Sequence, residues 1–66
     1  MTFKQAADML YQCAENEDGT KEEPPHLLER LTQIAITVKG AGARDAERAW
    51  FSAPFDDRWA FCCQVS

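Results

Sequence analysis

Residues 24–40, PPHLLERLTQIAITVKG, decide the fold class of this 66-residue chain. Apolar side chains recur there at intervals of three and four residues, which is the spacing of one face of an α-helix. They are Leu27, Leu28, Leu31, Ile34, Ala35 and Val38. Pro24 and Pro25 fit the first turn of a helix, and Gly40 is a common residue just beyond a helix end. The stretch therefore predicts a helix over residues 25–39.

The second half of the same stretch is also compatible with a β-strand. Its β-branched residues favour strands, and Thr32, Ile34, Ile36 and Val38 alternate along the chain as the side chains of a half-buried strand do. The helix is the preferred prediction for residues 31–39, with the strand as the alternative.

The N-terminal segment has the clearest start signal in the sequence. Thr2 followed three residues later by Gln5 fits a capping box. A helical stripe of apolar residues follows, consisting of Phe3, Ala6, Ala7, Leu10, Cys13 and Ala14. These features predict a helix over about residues 2–15 that has Cys13 on its buried side.

The last third of the chain is harder to assign. Residues 43–53, ARDAERAWFSA, are rich in helix formers and end before Pro54, which predicts a short third helix with Trp50 on its apolar side. From Phe55 onward the sequence fits a helix capped by Asp56 or an alternating strand that includes Trp59 and Phe61. We therefore predict a mostly α, single-domain bundle of three to four helices over residues 1–66. The alternative is an α+β fold with the N-terminal helix packed on a small antiparallel sheet.

Negative charge is concentrated in the first half of the chain. The formal net charge is −4, and residues 1–29 contain seven acidic against two basic residues. Residues 16–25, NEDGTKEEPP, contain no apolar residue and predict an exposed acidic loop. We expect the carboxylates in and beside this loop to bind a basic partner protein and to disfavour direct contact with nucleic acid. They are Glu15, Glu17, Asp18, Glu22 and Glu23.

Enzyme, metal and cofactor functions have little support in the sequence. The single histidine, His26, follows Pro25 and is expected to face solvent, so it is not a natural base for a cysteine or serine nucleophile. Cys13, Cys62 and Cys63 lack the CxxC spacing of a zinc site. We expect a non-enzymatic protein without a metal or cofactor. Three cysteines and the lack of a signal peptide or a long apolar segment predict a cytoplasmic location.

The C-terminal residues permit a different interpretation. Cys63-Gln64-Val65-Ser66 matches the C-a-a-X prenylation pattern, so a lipid-anchored adaptor is one alternative function and the only route to a membrane. A homodimer or a small homo-oligomeric structural subunit is another alternative.

Aromatic residues crowd the region before these cysteines. Aromatic and arginine side chains dominate binding hot spots, so we expect this region to contact a protein partner. The candidate contact residues are Phe51, Phe55, Arg58 and Trp59; one arrangement leaves Trp59 inside with Trp50 while the others face the partner. Together with size and charge, this predicts a small inhibitor of the kind that phages and mobile elements encode, such as anti-CRISPR proteins. It would block a basic surface of a nucleic-acid-handling host protein; no motif identifies a family.

Overall fold

The computed structural model describes residues 1–18 and 23–65, and the side chains of all of these except residues 16–18. Four helices follow one another: α1 (Phe3–Asp18), α2 (Pro24–Thr37), α3 (Ala43–Ser52) and α4 (Phe55–Val65). Within the described ranges there is no strand. The predicted helical bundle is therefore confirmed. The α+β alternative is wrong, because the two segments considered as strands, within residues 31–39 and from Phe55 onward, form the helices α2 and α4.

Helix α1 starts as the sequence predicts. The Thr2 backbone N–H donates to Gln5 Oε1 at 2.9 Å, and the Gln5 N–H donates to Thr2 Oγ1 at 3.2 Å, which is a complete capping box. Ala14 is buried whereas Cys13 is only half-buried, so the inner stripe is centred slightly away from the thiol.

The bounds of the predicted acidic loop need correction. Helix α1 continues through Asp18, because no helix breaker precedes Gly19, and α2 begins at Pro24. Residues 16–18 and 24–25 are therefore helical. Residues 19–22 lie outside the described part of the chain.

Helix α2 packs against each of the other three helices, and its buried residues are Leu27, Leu31 and Ala35. Its β-branched residues are compatible with a helix for a local reason. The Thr32 hydroxyl donates to the Leu28 carbonyl at 2.9 Å, and the Thr37 hydroxyl donates to the Gln33 carbonyl at 3.0 Å. These bonds satisfy both hydroxyls within the helix. The choice between helix and strand then depends on the apolar stripe, which favours the helix.

Trp50 of α3 joins three helices in the core. Its side chain is fully buried and stacks on Phe3 of α1, with ring centroids 5.7 Å apart and an interplanar angle of 16°. The indole N–H donates to Thr32 Oγ1 of α2 at 3.3 Å. Alanines on the facing sides allow α1 and α3 to pack closely around this residue: Ala6, Ala7, Ala43 and Ala46 are all buried.

Helix α4 has an unexpected register. Phe61 and Cys62 are buried, Val65 packs against the core, and Arg58 is half-buried. These four residues have the i, i+3, i+4, i+7 spacing of one helical face. Phe55 and Trp59 consequently lie on the outer side of α4.

Candidate protein-binding surface

Two aromatic rings form a pair on the outer side of α4. Phe55 is 56% exposed and Trp59 is 37% exposed. They are four residues apart, and their rings stack with centroids separated by 6.3 Å and planes inclined by 14°. Mutual stacking holds both side chains in place while much of their apolar surface remains in contact with solvent.

An exposed carboxylate lies beside this pair. Asp56 is exposed and precedes Trp59 by three residues, so the two residues are neighbours on the surface of the helix. We call Phe55, Asp56 and Trp59 the α4 face. Asp57 is also exposed but lies on the side turned toward α1, where it lines a groove with Lys4.

Phe51 belongs to a second surface, on the outer side of α3, and is 43% exposed. An open groove of about 580 Å³ runs along this helix. It is lined by Arg44, Glu47, Arg48, Phe51 and Ser52. The groove combines two cationic side chains and one carboxylate with one apolar ring, so its net charge is positive, unlike that of the α4 face.

One arrangement predicted from the sequence placed Trp59 inside and Arg58 on the surface. The structure shows the reverse, with Arg58 half-buried and Trp59 exposed. Arg58 precedes Phe61 by three residues and Cys62 by four, which turns it toward the core. Its Nε atom is buried and has no hydrogen-bond partner among the described residues. The aliphatic stem of an arginine can cover apolar surface, which is compatible with the half-buried position of Arg58 on the inner side of α4.

The predicted acidic contact residues are only partly described. Glu15 and Glu23 are exposed, at either side of the segment that the structure leaves undescribed. Glu17 and Asp18 belong to α1, but their side chains, like all of Glu22, lie outside the described part. Their contact with a basic partner remains a prediction.

A smaller open groove of about 250 Å³ lies between α1 and α4. Its lining consists of Phe3, Lys4, Asp57, Ala60, Phe61 and Gln64. The groove places one lysine and one aspartate beside apolar side chains.

The remaining candidate chemistry is dispersed over the surface. His26 is exposed near the start of α2. No three histidine, cysteine, aspartate or glutamate side chains in the described ranges are grouped so that they could hold a metal ion. Among the helices described here, none has the length and apolar character needed to cross a membrane.

Comparisons with protein families, curated proteins and solved structures find no match. Function is therefore inferred from the residues of this chain alone. Among the described residues, the α4 face carries two exposed aromatic rings that stack on each other.

The three cysteines differ in their environment. Cys13 is half-buried, Cys62 is buried and Cys63 is exposed; all three are thiols rather than disulfides. Burial, with a smaller contribution from neighbouring Cys63, raises the pKa of Cys62 from 9.0 to about 11. A buried thiol with a raised pKa is a packing group and a weak nucleophile at neutral pH.

This shift predicts an alkaline loss of stability. The unfolded chain releases the Cys62 proton near pH 9 and the folded chain near pH 11, so the contribution is complete below pH 9 and is lost as the pH rises to about 11. The expected slope is roughly 1 kcal/mol per pH unit at most. Urea denaturation should show that the free energy of unfolding drops more between pH 8 and pH 10.5 in the wild type than in Cys62→Ala. Cys63→Ala should retain most of the drop, and equal drops in wild type and Cys62→Ala would contradict the assignment.

Proposed function

We propose that this protein is a non-enzymatic protein-binding module whose α4 face contacts the partner. One observation supports this most directly: Phe55 and Trp59 form an exposed stacked pair on a helix whose inner side is supplied by other residues. Stacking already restricts both rings, so little side-chain entropy is lost when a partner covers them. Large aromatic side chains of this kind are typical of binding hot spots.

The finer proposal is that the partner is a basic, nucleic-acid-handling protein and that the module inhibits it. The net charge of −4 and the concentration of carboxylates in residues 1–29 support a basic partner. In this proposal the acidic half accelerates association, and the aromatic pair slows dissociation. Small inhibitors from phages and mobile elements, such as anti-CRISPR proteins, are the class that this combination suggests.

A comparison of capture experiments tests the contact surface. Purified wild-type protein, the Phe55→Ala/Trp59→Ala variant and Ile36→Ala are immobilised, and proteins retained from the native host are quantified by mass spectrometry. Ile36 of α2 is the matched control because it is also 56% exposed and apolar but lies on another helix. We expect a protein retained by wild type and Ile36→Ala to be lost, by at least tenfold, from the double variant, because hot-spot truncations cost about 2 kcal/mol or more.

The outcomes separate the proposal from its alternatives. Equal retention by all three proteins would reject the α4 face as the contact. A retained protein that still binds nucleic acid fully when saturated with this module would reject the inhibitor function but not the contact.

The lipid-anchored alternative has less structural support. Helix α4 runs through Val65, whose side chain packs against the core and whose carbonyl accepts a hydrogen bond of 3.5 Å from the Tyr11 hydroxyl. Cys63 is thus part of a packed helix rather than of a free tether. The homo-oligomer alternative predicts a mass above that of the 7.5 kDa monomer in light scattering, and a monomer would reject it.

A further inference from the structure

We propose that the α4 face recognises an arginine side chain of the partner, with the guanidinium group stacked on Trp59 and paired with Asp56. This inference depends on the proposed function, because it names the chemistry that the same surface binds. It goes beyond a general attraction to basic proteins, since it assigns the cation to one ring and one carboxylate.

The geometry of the face fits a planar cation. The Trp59 indole is 37% exposed and stacks on the Phe55 ring, so the guanidinium group would use the part of the indole that Phe55 leaves uncovered. Tryptophan is the aromatic residue that attracts cations most strongly, and a guanidinium group stacks on it better than an ammonium group does. Asp56 on the same side of α4 can accept hydrogen bonds from the edge of that group.

The exposed charges of α4 itself favour a cation over an anion. The residues that share the outer side of α4 with this pair are Asp56, Ala60 and Cys63, and none of them is basic. Arg58, the nearest cation in sequence, is turned toward the core. The cationic residues of the α3 groove, Arg44 and Arg48, lie on another helix. The exposed charged residues of α4 are the two carboxylates Asp56 and Asp57, so a cation that approaches Trp59 from solvent meets negative charge on this helix.

Titration with short peptides tests this recognition. The probe is a blocked Gly-Arg-Gly-Arg-Gly peptide, followed by ¹H–¹⁵N correlation spectra of the labelled protein. We expect the indole N–H signal of exposed Trp59 to shift and that of buried Trp50 to stay in place. The same peptide with citrulline, which has the shape of arginine without its charge, should bind at least threefold more weakly, and the lysine peptide should lie between them.

Two aspartates in the same turn provide the matched comparison. Asp56→Asn should weaken binding of the arginine peptide by about threefold, whereas Asp57→Asn removes the same charge on the side turned toward α1 and should weaken it less. Equal effects of the two substitutions, or equal binding of the citrulline peptide, would overturn the proposal. The proposal would also be overturned if only a Gly-Glu-Gly-Glu-Gly peptide shifted the indole N–H signal of Trp59.

The capture experiment distinguishes this failure from failure of the proposed function. In one outcome, the partner is lost from Phe55→Ala/Trp59→Ala but is still retained by Asp56→Asn and in the presence of excess arginine peptide. That result would support the α4 face as the contact surface and reject arginine recognition. If the partner is retained by the double variant, both fall together.

Discussion

Replacement of Trp50 by alanine is expected to unfold most of the protein at 25 °C. The side chain is fully buried, stacks on Phe3 and donates to Thr32 Oγ1, so its removal leaves a cavity where α1, α2 and α3 meet. Truncation of a buried tryptophan to alanine costs about 3–5 kcal/mol. A single hydrophobic core in a chain of 66 residues rarely supplies more than about 3–5 kcal/mol. The variant therefore loses about as much free energy as folding supplies, and it becomes largely unfolded.

Circular dichroism at 222 nm during urea denaturation measures this effect. Trp50→Phe is the informative companion, because it retains an aromatic ring against Phe3 while the Thr32 hydroxyl keeps its bond to the Leu28 carbonyl. We expect it to cost about 1–2 kcal/mol, for the smaller ring and the lost indole hydrogen bond. A cooperative Trp50→Ala transition close to that of the wild type would mean that Trp50 is not the centre of the core.

The first three helices could be predicted because their apolar residues repeat without interruption. Leu27, Leu31 and Ala35 form the inner side of α2, as their spacing indicates. The β-branched residues of α2 raised the alternative of a strand, but strand propensity is a weaker signal than an apolar stripe that can be buried. The helix ends were less accurate: α1 extends three residues beyond the prediction, through polar residues that a helix tolerates.

The register of α4 could not be read from hydrophobicity because a charged residue occupies an inner position. Arg58, Phe61, Cys62 and Val65 have helical spacing, but that pattern appears only if the stem of Arg58 is counted as apolar. Two large aromatic residues on the outer side obscure it further. The arrangement that was not predicted, with Arg58 on the inner side and two aromatic residues on the outer side, is also the one that forms the α4 face. A surface for binding conflicts with the pattern that folding alone would favour.

The acidic residues and the α4 face suggest two different contributions to binding. Glu15 lies in the last turn of α1 and Glu23 directly before α2, and both are exposed. Exposed charges act over a distance of about 10 Å at 0.1 M salt and mainly affect the rate of association. Apolar rings act only on contact and mainly affect dissociation. Salt should therefore slow the binding of a basic partner more than it accelerates release.

The register of α4 predicts opposite consequences for its two neighbouring large aromatic residues. Phe61 is only 8% exposed and meets Tyr11 of α1 edge to face, with ring centroids 6.2 Å apart and an interplanar angle of 81°. Phe61→Ala is expected to cost about 3 kcal/mol, because it opens the core and removes the ring partner of Tyr11. Trp59→Ala should cost about 1 kcal/mol or less, since its main ring contact is with exposed Phe55.

Urea denaturation of both variants, with Ile36→Ala as an exposed control, compares the two positions directly. The order of stability distinguishes the helical register from an alternating strand, in which Trp59 and Phe61 would share one side and both substitutions would destabilise alike. It also determines whether the binding experiments can be interpreted. If Trp59→Ala destabilises as much as Phe61→Ala, loss of a partner from the Trp59 variant reports unfolding, and the α4 face is core. If it leaves the free energy of unfolding nearly unchanged, the same loss reports a contact.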